Sequence, residues 1–177
     1  MDSNADVKAG TEKVVKEHIS WQEFDYAVRE LGRQMMNNRY HPDYIVGLAR
    51  GGLPAAVCLS HIFGSVPVEA MLVRSYRKTT IKDGQQPESQ GQLYTEAPKK
   101  PHAFYNSQNT LFIDDLWDTG HTMMHIAQEY PKAVKATVFH KSDVQYDAPS
   151  KYVHYRGLWK PKSNWLCFPW EMSHGDR

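Results

Sequence analysis

Cysteine and long apolar runs are both scarce in this 177-residue chain. The two cysteines, Cys58 and Cys167, form neither a CxxC pair nor the dense framework of a disulfide-stapled secreted domain. No run of about 18 apolar residues occurs, so no transmembrane helix is expected. The opening stretch "MDSNADVKAGTEKVVKEH" is polar and lacks the apolar core of a signal peptide. These absences predict a cytoplasmic protein in a reducing setting.

An excess of either charge is also missing, since 21 Lys and Arg residues stand against 20 Asp and Glu residues. This balance argues against a protein built for non-specific binding of nucleic acid or an anionic membrane. The length fits one domain that can bury a core of its own. We expect a polar N-terminal extension over residues 1–17 and a single domain over residues 18–177.

Strand and helix patterns alternate along the chain. In "SWQEFDYAVRELGRQMMNN" the apolar residues recur at helical spacing, and Ser20 with Glu23 forms a capping-box signature at its start. The strand pattern "DYIVGLA" leads through "RGG" into the helix pattern "LPAAVCLSHIFG". Strand patterns recur in "VPVEAMLV", "TLFIDD" and "VKATVFH", with the helix pattern "HTMMHIAQEY" between the last two. This alternation predicts an α/β fold, a parallel twisted sheet flanked by helices.

Two segments depart from this alternation. Residues 77–109 are polar, rich in Gln, Pro, Lys and Gly, and too long for an ordinary connection, which favours a mobile loop or lid. Residues 151–177 are aromatic and β-prone, and we expect them to form a small C-terminal hood over the sheet edge.

The segment "LFIDDLWDTGHT" at residues 111–122 carries the most specific chemistry. Asp114 and Asp115 follow an apolar strand, and a helix begins near Gly120, so the turn faces the crevice where ligands bind in open α/β sheets. A helix N-terminus with threonine hydroxyls beside it suits a phosphate, whereas carboxylates bind sugar hydroxyls or a hard cation such as Mg²⁺. The pattern predicts a phosphorylated ribose; the alternative is that the acids only cap the helix.

At this point the sequence resembles type I phosphoribosyltransferases, most closely the bacterial xanthine-guanine enzymes that act on 6-oxopurines. "FIDDLWDTGHT" resembles their ribose-phosphate motif, and "GLARGGLPAAVCLSHIFG" resembles their pyrophosphate loop and its helix. "EYPKAVKATVFHK" is similar to their segment ending in a base-binding lysine, and "WLCFPWE" to their purine-contacting tail. The resemblance covers residues 43–76 and 110–171, in order.

The resemblance implies transfer of a phosphoribosyl group from phosphoribosyl pyrophosphate to a guanine, xanthine or hypoxanthine nitrogen, with release of pyrophosphate. Mg²⁺ is the implied cofactor, with Asp115 as its protein ligand. The residues implied to bind phosphoribosyl pyrophosphate lie in two motifs: Arg50, Gly51, Gly52, Asp114, Asp115, Thr119, Gly120, His121 and Thr122.

The resemblance also assigns the base site and the catalytic groups. Asp118 would move the proton at purine N7, and Lys141 would donate to O6. Trp165 would stack on the base, and the Leu166 backbone would read its exocyclic groups. Ser75 and Tyr76, also implied to be catalytic, would close over the pyrophosphate side and exclude water.

Other interpretations stay open at the level of sequence. His121 and His125, four apart on one helix, could hold a transition metal in a hydrolase. A non-catalytic regulator of the same fold could sense a nucleotide or phosphoribosyl pyrophosphate. Orotate or adenine could replace the 6-oxopurine, although the Asp-Thr-Gly form and the Trp-Leu and Pro-Trp-Glu tail disfavour both. Family members assemble as dimers or tetramers, which implies a homodimer or homotetramer, and no nucleic-acid partner is expected.

Overall fold

The computed structural model of the chain describes residues 15–76, 92–95, 100–144 and 151–171. Eight strands are found in these residues: Val15–His18 (β1), Tyr44–Ala49 (β2), Val68–Tyr76 (β3), Gln92–Thr95 (β4), Thr110–Trp117 (β5), Val134–Ser142 (β6), Tyr155–Pro161 (β7) and Asn164–Cys167 (β8). The main sheet has the order β4-β3-β2-β5-β6-β7, and within it β4 pairs antiparallel while the other five strands are parallel. The expected parallel α/β sheet is confirmed.

Four helices connect or flank the strands of the described residues: Trp21–Asn37 (α1), Gly52–Ile62 (α2), His102–Tyr105 (α3) and His121–Glu129 (α4). Each of these helices is too short or too polar to span a bilayer. Helix α1 begins where the sequence indicates, because the Ser20 hydroxyl accepts a hydrogen bond of 3.1 Å from the Glu23 amide. Its apolar face is buried against the sheet, although Trp21, expected on that face, stays 55% exposed.

The sheet has a core on each face, because successive side chains of a strand point to opposite sides. Ile45 and Leu111 belong to the core that includes residues of α1 and α2. Their neighbours Val46 and Phe112 belong to the other core, where the Phe112 ring stacks on Tyr130 at a centroid distance of 5.0 Å. Strands covered on both faces explain the continuous apolar runs in the sequence.

Two assignments of elements differ from the sequence prediction. Strand β1 begins at Val15, so residues 15–17 belong to a sheet rather than to a polar extension; residues 1–14 lie outside the described residues. Strand β7 pairs with β6 in the main sheet, which leaves β8 and its parallel partner β1 as the second sheet. The hood is therefore smaller than residues 151–177, and it includes the N-terminal strand. Both differences arise from pairing between strands far apart in the chain, which local patterns do not record.

The segment expected to be a loop, residues 77–109, contains strand β4 and helix α3. Strand β4 pairs with the end of β3, with Tyr76 opposite Gln92. Helix α3 is fixed by Tyr105, a fully buried residue whose hydroxyl donates to Glu69 at 2.8 Å. Residues 77–91 and 96–99 lie outside the described residues. The polar composition of this segment did not predict its strand and helix, because tertiary contacts stabilise them.

Lys135 is a buried cation outside the acid motif, the name used here for residues 111–122. It lies near the start of β6 with 2% of its surface exposed, and its ammonium donates to the Tyr130 carbonyl at 2.6 Å. No ion pair of Lys135 is found among the described residues. Burial lowers its pKa from 10.5 to about 8. The charged form is therefore held in the core at a cost to stability.

Replacing Lys135 with methionine is expected to raise the free energy of unfolding at pH 7 by about 1–3 kcal/mol. The Tyr130 carbonyl keeps a second donor, the Ala133 amide at 3.2 Å. Because the folded pKa lies below the unfolded value, wild-type stability rises between about pH 8 and 10.5, and the advantage of the variant shrinks there. Urea unfolding at pH 7 and pH 10 measures this, with the exposed Lys132→Met as control. A destabilised variant at pH 7 would contradict the argument.

Candidate active site

The acid motif lies at the topological switch point of the main sheet, where the order of the strands reverses. Strand β2 has β3 on one side and β5 on the other, and such a switch point opens a crevice beyond the carboxyl ends of the strands. The pairing of β2 with β5 ends at Gly47 and Ile113, whereas β5 continues along β6 to Trp117. The sequence prediction ended the strand at the acids. In the structure Asp114 and Asp115 are within β5 but beyond its contact with β2.

The glycine turn after β2 packs directly on this acid pair. A Cβ atom on Gly51 would lie 2.1 Å from the Asp115 carboxylate, and one on Gly52 would lie 2.2 Å from the Ile113 carbonyl oxygen. Only glycine fits at either position. Arg50, joined to Ala49 by a cis peptide bond, is exposed at the same edge. The two sequence motifs that are 60 residues or so apart in the chain therefore form one surface.

Burial and mutual repulsion make the two carboxyls reluctant to ionise. Burial, and then the charge of Asp115, raises the pKa of Asp114 well above its usual range. Burial also raises the pKa of Asp115, and the nearby charge of Glu171 raises it further. The Asp114 carboxylate accepts a hydrogen bond from the Asp115 amide at 3.1 Å. A pair of this kind favours an incoming cation or a row of hydroxyl donors.

The turn between β5 and α4 encloses a small cavity of about 80 Å³ lined by residues 116–123. Gly120 starts the helix with a φ of 79°, a conformation that favours glycine, and a Cβ there would lie 2.4 Å from the Trp117 ring. Residues of the first turn of α4, His121, Thr122 and Met123, line this cavity. Thr119 is exposed beside it, and its hydroxyl shares a hydrogen bond of 3.2 Å with His121. Free amides and a hydroxyl at a helix start suit an anion.

Asp118 and Lys141, assigned to the base by resemblance, contact each other. The Lys141 ammonium lies 2.9 Å from an Asp118 carboxylate oxygen, with the lysine side chain 8% exposed and the aspartate 51% exposed. Lys141 is near the end of β6, the strand beside β5. The contact puts one cation and one anion at the same crevice, where a ligand carrying both a donor and an acceptor could replace it.

Trp165 and Leu166 lie on β8, in the hood. Trp165 is 61% exposed and Leu166 is buried. The Cys167 carbonyl accepts from the Ile19 amide at 2.9 Å, just past the β1 strand. Because the N–H and C=O groups of neighbouring residues in a strand point to opposite edges, those of Leu166 point away from β1. An exposed aromatic ring thus adjoins a backbone edge that faces away from its strand partner.

A larger cavity of about 740 Å³ borders Asp115 and adds candidate site residues that the sequence reasoning missed. Its lining joins the glycine turn to the hood: Arg50, Gly51, Leu53, Pro54, Asp115, Trp170 and Glu171. The Trp170 ring stacks on Phe168 at 4.9 Å, which fixes the tail in this position. The Pro-Trp-Glu end of the tail was the available signal, but only its Trp-Leu start was assigned to the site.

A sequence profile described as "Phosphoribosyl transferase domain" matches residues 16–176, nearly the whole chain. The chain belongs to the phosphoribosyltransferase family. The resemblance noted from the motifs is thereby confirmed, and the match begins within β1, in agreement with the structure.

Individual phosphoribosyltransferases show the extent of the likeness. The chain is 29% identical over 154 residues to a xanthine-guanine phosphoribosyltransferase of Idiomarina loihiensis, covering 87% of this chain and 86% of the relative. It is 29% identical over 161 residues to a xanthine-guanine phosphoribosyltransferase of a Ruegeria species, covering 88% and 85%. The crystal structure of a purine phosphoribosyltransferase from Pyrococcus horikoshii superposes with a TM-score of 0.64 at 26% identity, covering 89% of this chain and 95% of that one.

The histidine pair contacts neighbouring side chains on and beside α4. The His121 ring forms a hydrogen bond with the Thr119 hydroxyl, and the His125 ring lies 3.4 Å from the Glu129 carboxylate. Within the described ranges, no three His, Cys, Asp or Glu side chains converge as a transition-metal hydrolase would need. The hydrolase interpretation has no geometric support there.

Ser75 and Tyr76 are the predicted site residues about which least can be said. Their backbone ends β3 and pairs with β4, opposite Leu93 and Gln92. Their side chains lie outside what the structure describes.

Proposed function

We propose that the protein is a purine salvage enzyme that transfers the phosphoribosyl group of phosphoribosyl pyrophosphate to a 6-oxopurine and releases pyrophosphate. The names of the curated relatives, xanthine-guanine phosphoribosyltransferases, support a purine as acceptor. The three candidate bases are guanine, xanthine and hypoxanthine.

The contact between Lys141 and Asp118 is the observation that carries this proposal. A 6-oxopurine presents the O6 acceptor and the N7 site on one edge, so it can take a hydrogen bond from the lysine and exchange a proton with the aspartate. Both side chains lie beside the turn between β5 and α4. A base held there would be within reach of a ribose on the acid pair. Adenine has an amino group in place of O6 and would set a donor against the Lys141 ammonium.

Phosphoribosyl pyrophosphate would occupy both cavities. The 5′-phosphate fits the turn of Thr119, Gly120, His121 and Thr122, with its amides and the helix N-terminus. The ribose hydroxyls donate to Asp114 and Asp115. The pyrophosphate lies along Arg50, Gly51 and Gly52, where the absence of Cβ atoms lets the backbone amides approach the leaving oxygens.

The chemistry of the donor set fits Mg²⁺ at Asp115. Burial and neighbouring negative charge, including that of Glu171, raise the pKa values of the two carboxyls, and a hard cation would stabilise their ionised forms. Mg²⁺ takes few protein ligands when phosphate oxygens and waters complete its shell, so one aspartate suffices. When bound, it supplies positive charge to the departing pyrophosphate.

The hood would complete the base site. Trp165 offers an exposed ring for stacking, and the outward backbone groups of Leu166 can read the exocyclic substituents of the purine. Ser75 and Tyr76 would close the pyrophosphate side and keep water from the developing ribosyl cation. We place the enzyme in the cytoplasm as a homodimer or homotetramer, in keeping with the family resemblance and the chain composition.

A turnover assay tests the proposal. Purified protein with Mg²⁺ and phosphoribosyl pyrophosphate should convert at least one of guanine, xanthine and hypoxanthine to its monophosphate, with one pyrophosphate per product. Adenine and orotate, run beside them, should give no product. Removal of Mg²⁺ with a chelator should abolish turnover and its re-addition should restore it.

The regulator alternative predicts a different result from the same assay. A sensor of this fold would bind phosphoribosyl pyrophosphate or a nucleotide without converting any base. Turnover of no base, together with tight nucleotide binding by calorimetry, would replace the enzyme with the sensor.

A further inference from the structure

One buried lysine joins three elements of the chain near the hood. Lys160, on β7, has a side chain that is 11% exposed, and its ammonium binds the carboxylates of Glu17 on β1 and Glu23 on α1, the latter at 2.6 Å. The side-chain amide of Asn164 donates to the other Glu17 carboxylate oxygen at 2.7 Å. We call Glu17, Glu23, Lys160 and Asn164 the hood latch.

The latch uses a helix-capping residue for a long-range contact. Glu23 stands three residues after Ser20, where the side chain of a capping box would turn back to the helix start. Its carboxylate binds Lys160 of the main sheet. Although burial alone would raise the pKa of Glu17, the hydrogen bonds from Lys160 and Asn164 hold that pKa below its ordinary value. The latch is therefore charged at neutral pH and ties β1 to the main sheet.

Strand β1 in turn sets the position of β8. The two strands pair in parallel register, with Lys16 opposite Trp165 and Glu17 opposite Leu166. Among the described residues β8 has no strand partner except β1. The orientation of the Leu166 backbone edge therefore depends on where β1 is held.

The latch is also one strand away from the proposed base contacts. Lys160 of β7 is the register partner of Lys141 of β6, and Lys141 contacts Asp118. A shift of β1 would change the distance between the Leu166 edge and Lys141. Those are the two places that would hold opposite sides of the purine.

We propose that Glu17, Glu23 and Lys160 are positioning residues for base recognition, holding β1 so that Trp165 and Leu166 face Lys141 across the purine. This inference rests on the proposed function. Removing the lysine leaves two carboxylates facing each other in a half-buried site, which drives β1 away from β7. The binding of phosphoribosyl pyrophosphate uses mainly the turns after β2 and β5, so we expect it to depend less on the latch than the binding of the base.

Kinetics of Lys160→Met test the positioning role. We expect the KM for the purine base to rise about tenfold, with kcat and the KM for phosphoribosyl pyrophosphate within about twofold of wild type. Lys160→Arg, which keeps the charge, should return the KM for the base to within about threefold. The matched control is Lys162→Met, which removes an exposed lysine 3.4 Å from Asp143 and should leave all constants unchanged.

Hydrogen exchange supplies a readout that does not need turnover. Lys160→Met should speed amide exchange in residues 15–18 and 164–167 and leave residues 110–117 unchanged. If Lys160→Met folds poorly, Glu17→Gln replaces it in this experiment. Glu17→Gln keeps the size of the side chain and should speed exchange in the same residues to a smaller degree.

The outcomes separate the latch from the proposed function. Unchanged exchange overturns the latch, and faster exchange with an unchanged KM for the base overturns its role in recognition. A fall in kcat together with a rise in the KM values for both substrates would also overturn it, because that is the effect of general destabilisation. If the wild type converts no base, the recognition role fails with the proposed function, while the exchange result still decides whether the latch holds β1.

Discussion

Replacing Asp118 with asparagine is expected to lower kcat/KM for the purine base by about 10²- to 10³-fold, while the KM for phosphoribosyl pyrophosphate changes little. The reason is that asparagine keeps the shape of the side chain but cannot take up or deliver the proton at N7. In the wild type the Lys141 ammonium lies 2.9 Å from an Asp118 oxygen. The asparagine can still accept a hydrogen bond from Lys141, so the crevice should keep its form. Steady-state kinetics with each base measures the effect.

The control for Asp118→Asn is Asp143→Asn. Asp143 is also an aspartate paired with a lysine, at 3.4 Å from Lys162, but the pair is exposed. Its loss should leave kcat/KM unchanged. Equal activity of wild type and Asp118→Asn would remove Asp118 from the proton transfer.

Replacing Asp114 with asparagine should have opposite effects on activity and stability. Loss of a charge-assisted hydrogen bond to the ribose should lower kcat/KM for phosphoribosyl pyrophosphate by about 10²-fold. Without ligand the variant should melt higher than wild type, by about 2–4 °C for each kcal/mol gained, because a neutral amide replaces a carboxyl whose ionisation is opposed by burial and by Asp115. Asp25→Asn, at an exposed pair with Arg29, serves as control and should change neither quantity.

The stability gain of Asp114→Asn depends on pH in a direction that follows from the raised pKa. Above the ordinary value of 3.8 the unfolded chain loses this proton before the folded protein does, so wild-type stability falls as pH rises from 3.8 to the raised pKa. The variant escapes this loss. Its advantage should be present at pH 7 and disappear below about pH 4, where both states of the wild type are protonated. A variant that melts lower than wild type at pH 7 would contradict the repulsion in the acid pair.

Local patterns in the sequence predicted the parts of the site that lie on one turn. An apolar strand, two acids and a glycine before a helix placed Asp114, Asp115 and Gly120 correctly relative to one another, because the strand and helix follow from spacing alone. The same holds for the glycine turn before α2. That the two turns meet at Gly51 and Asp115 agrees with the rule that ligands bind at a switch point of the sheet, but the contact itself is seen only in the structure.

Pairing across long distances could not be predicted in the same way. Nothing in "VKEH" indicates a strand, and β1 exists because β8 gives its backbone a partner. Tyr155–Pro161 was assigned to the hood because its aromatic composition suits any strand, whereas its place beside β6 is a tertiary fact. The role of Glu23 changed for a similar reason, since Lys160, which its carboxylate binds, is 137 residues away.

A crystal structure with a purine nucleoside monophosphate tests the central claim most directly, namely that a sugar phosphate lies across the turn from Asp114 to Thr122. We predict phosphate oxygens about 2.7–3.2 Å from the amides of residues 119–122, the ribose hydroxyls on Asp114 and Asp115, and the base between Trp165 and Lys141. A nucleotide bound elsewhere, with this crevice open to solvent, would contradict the account.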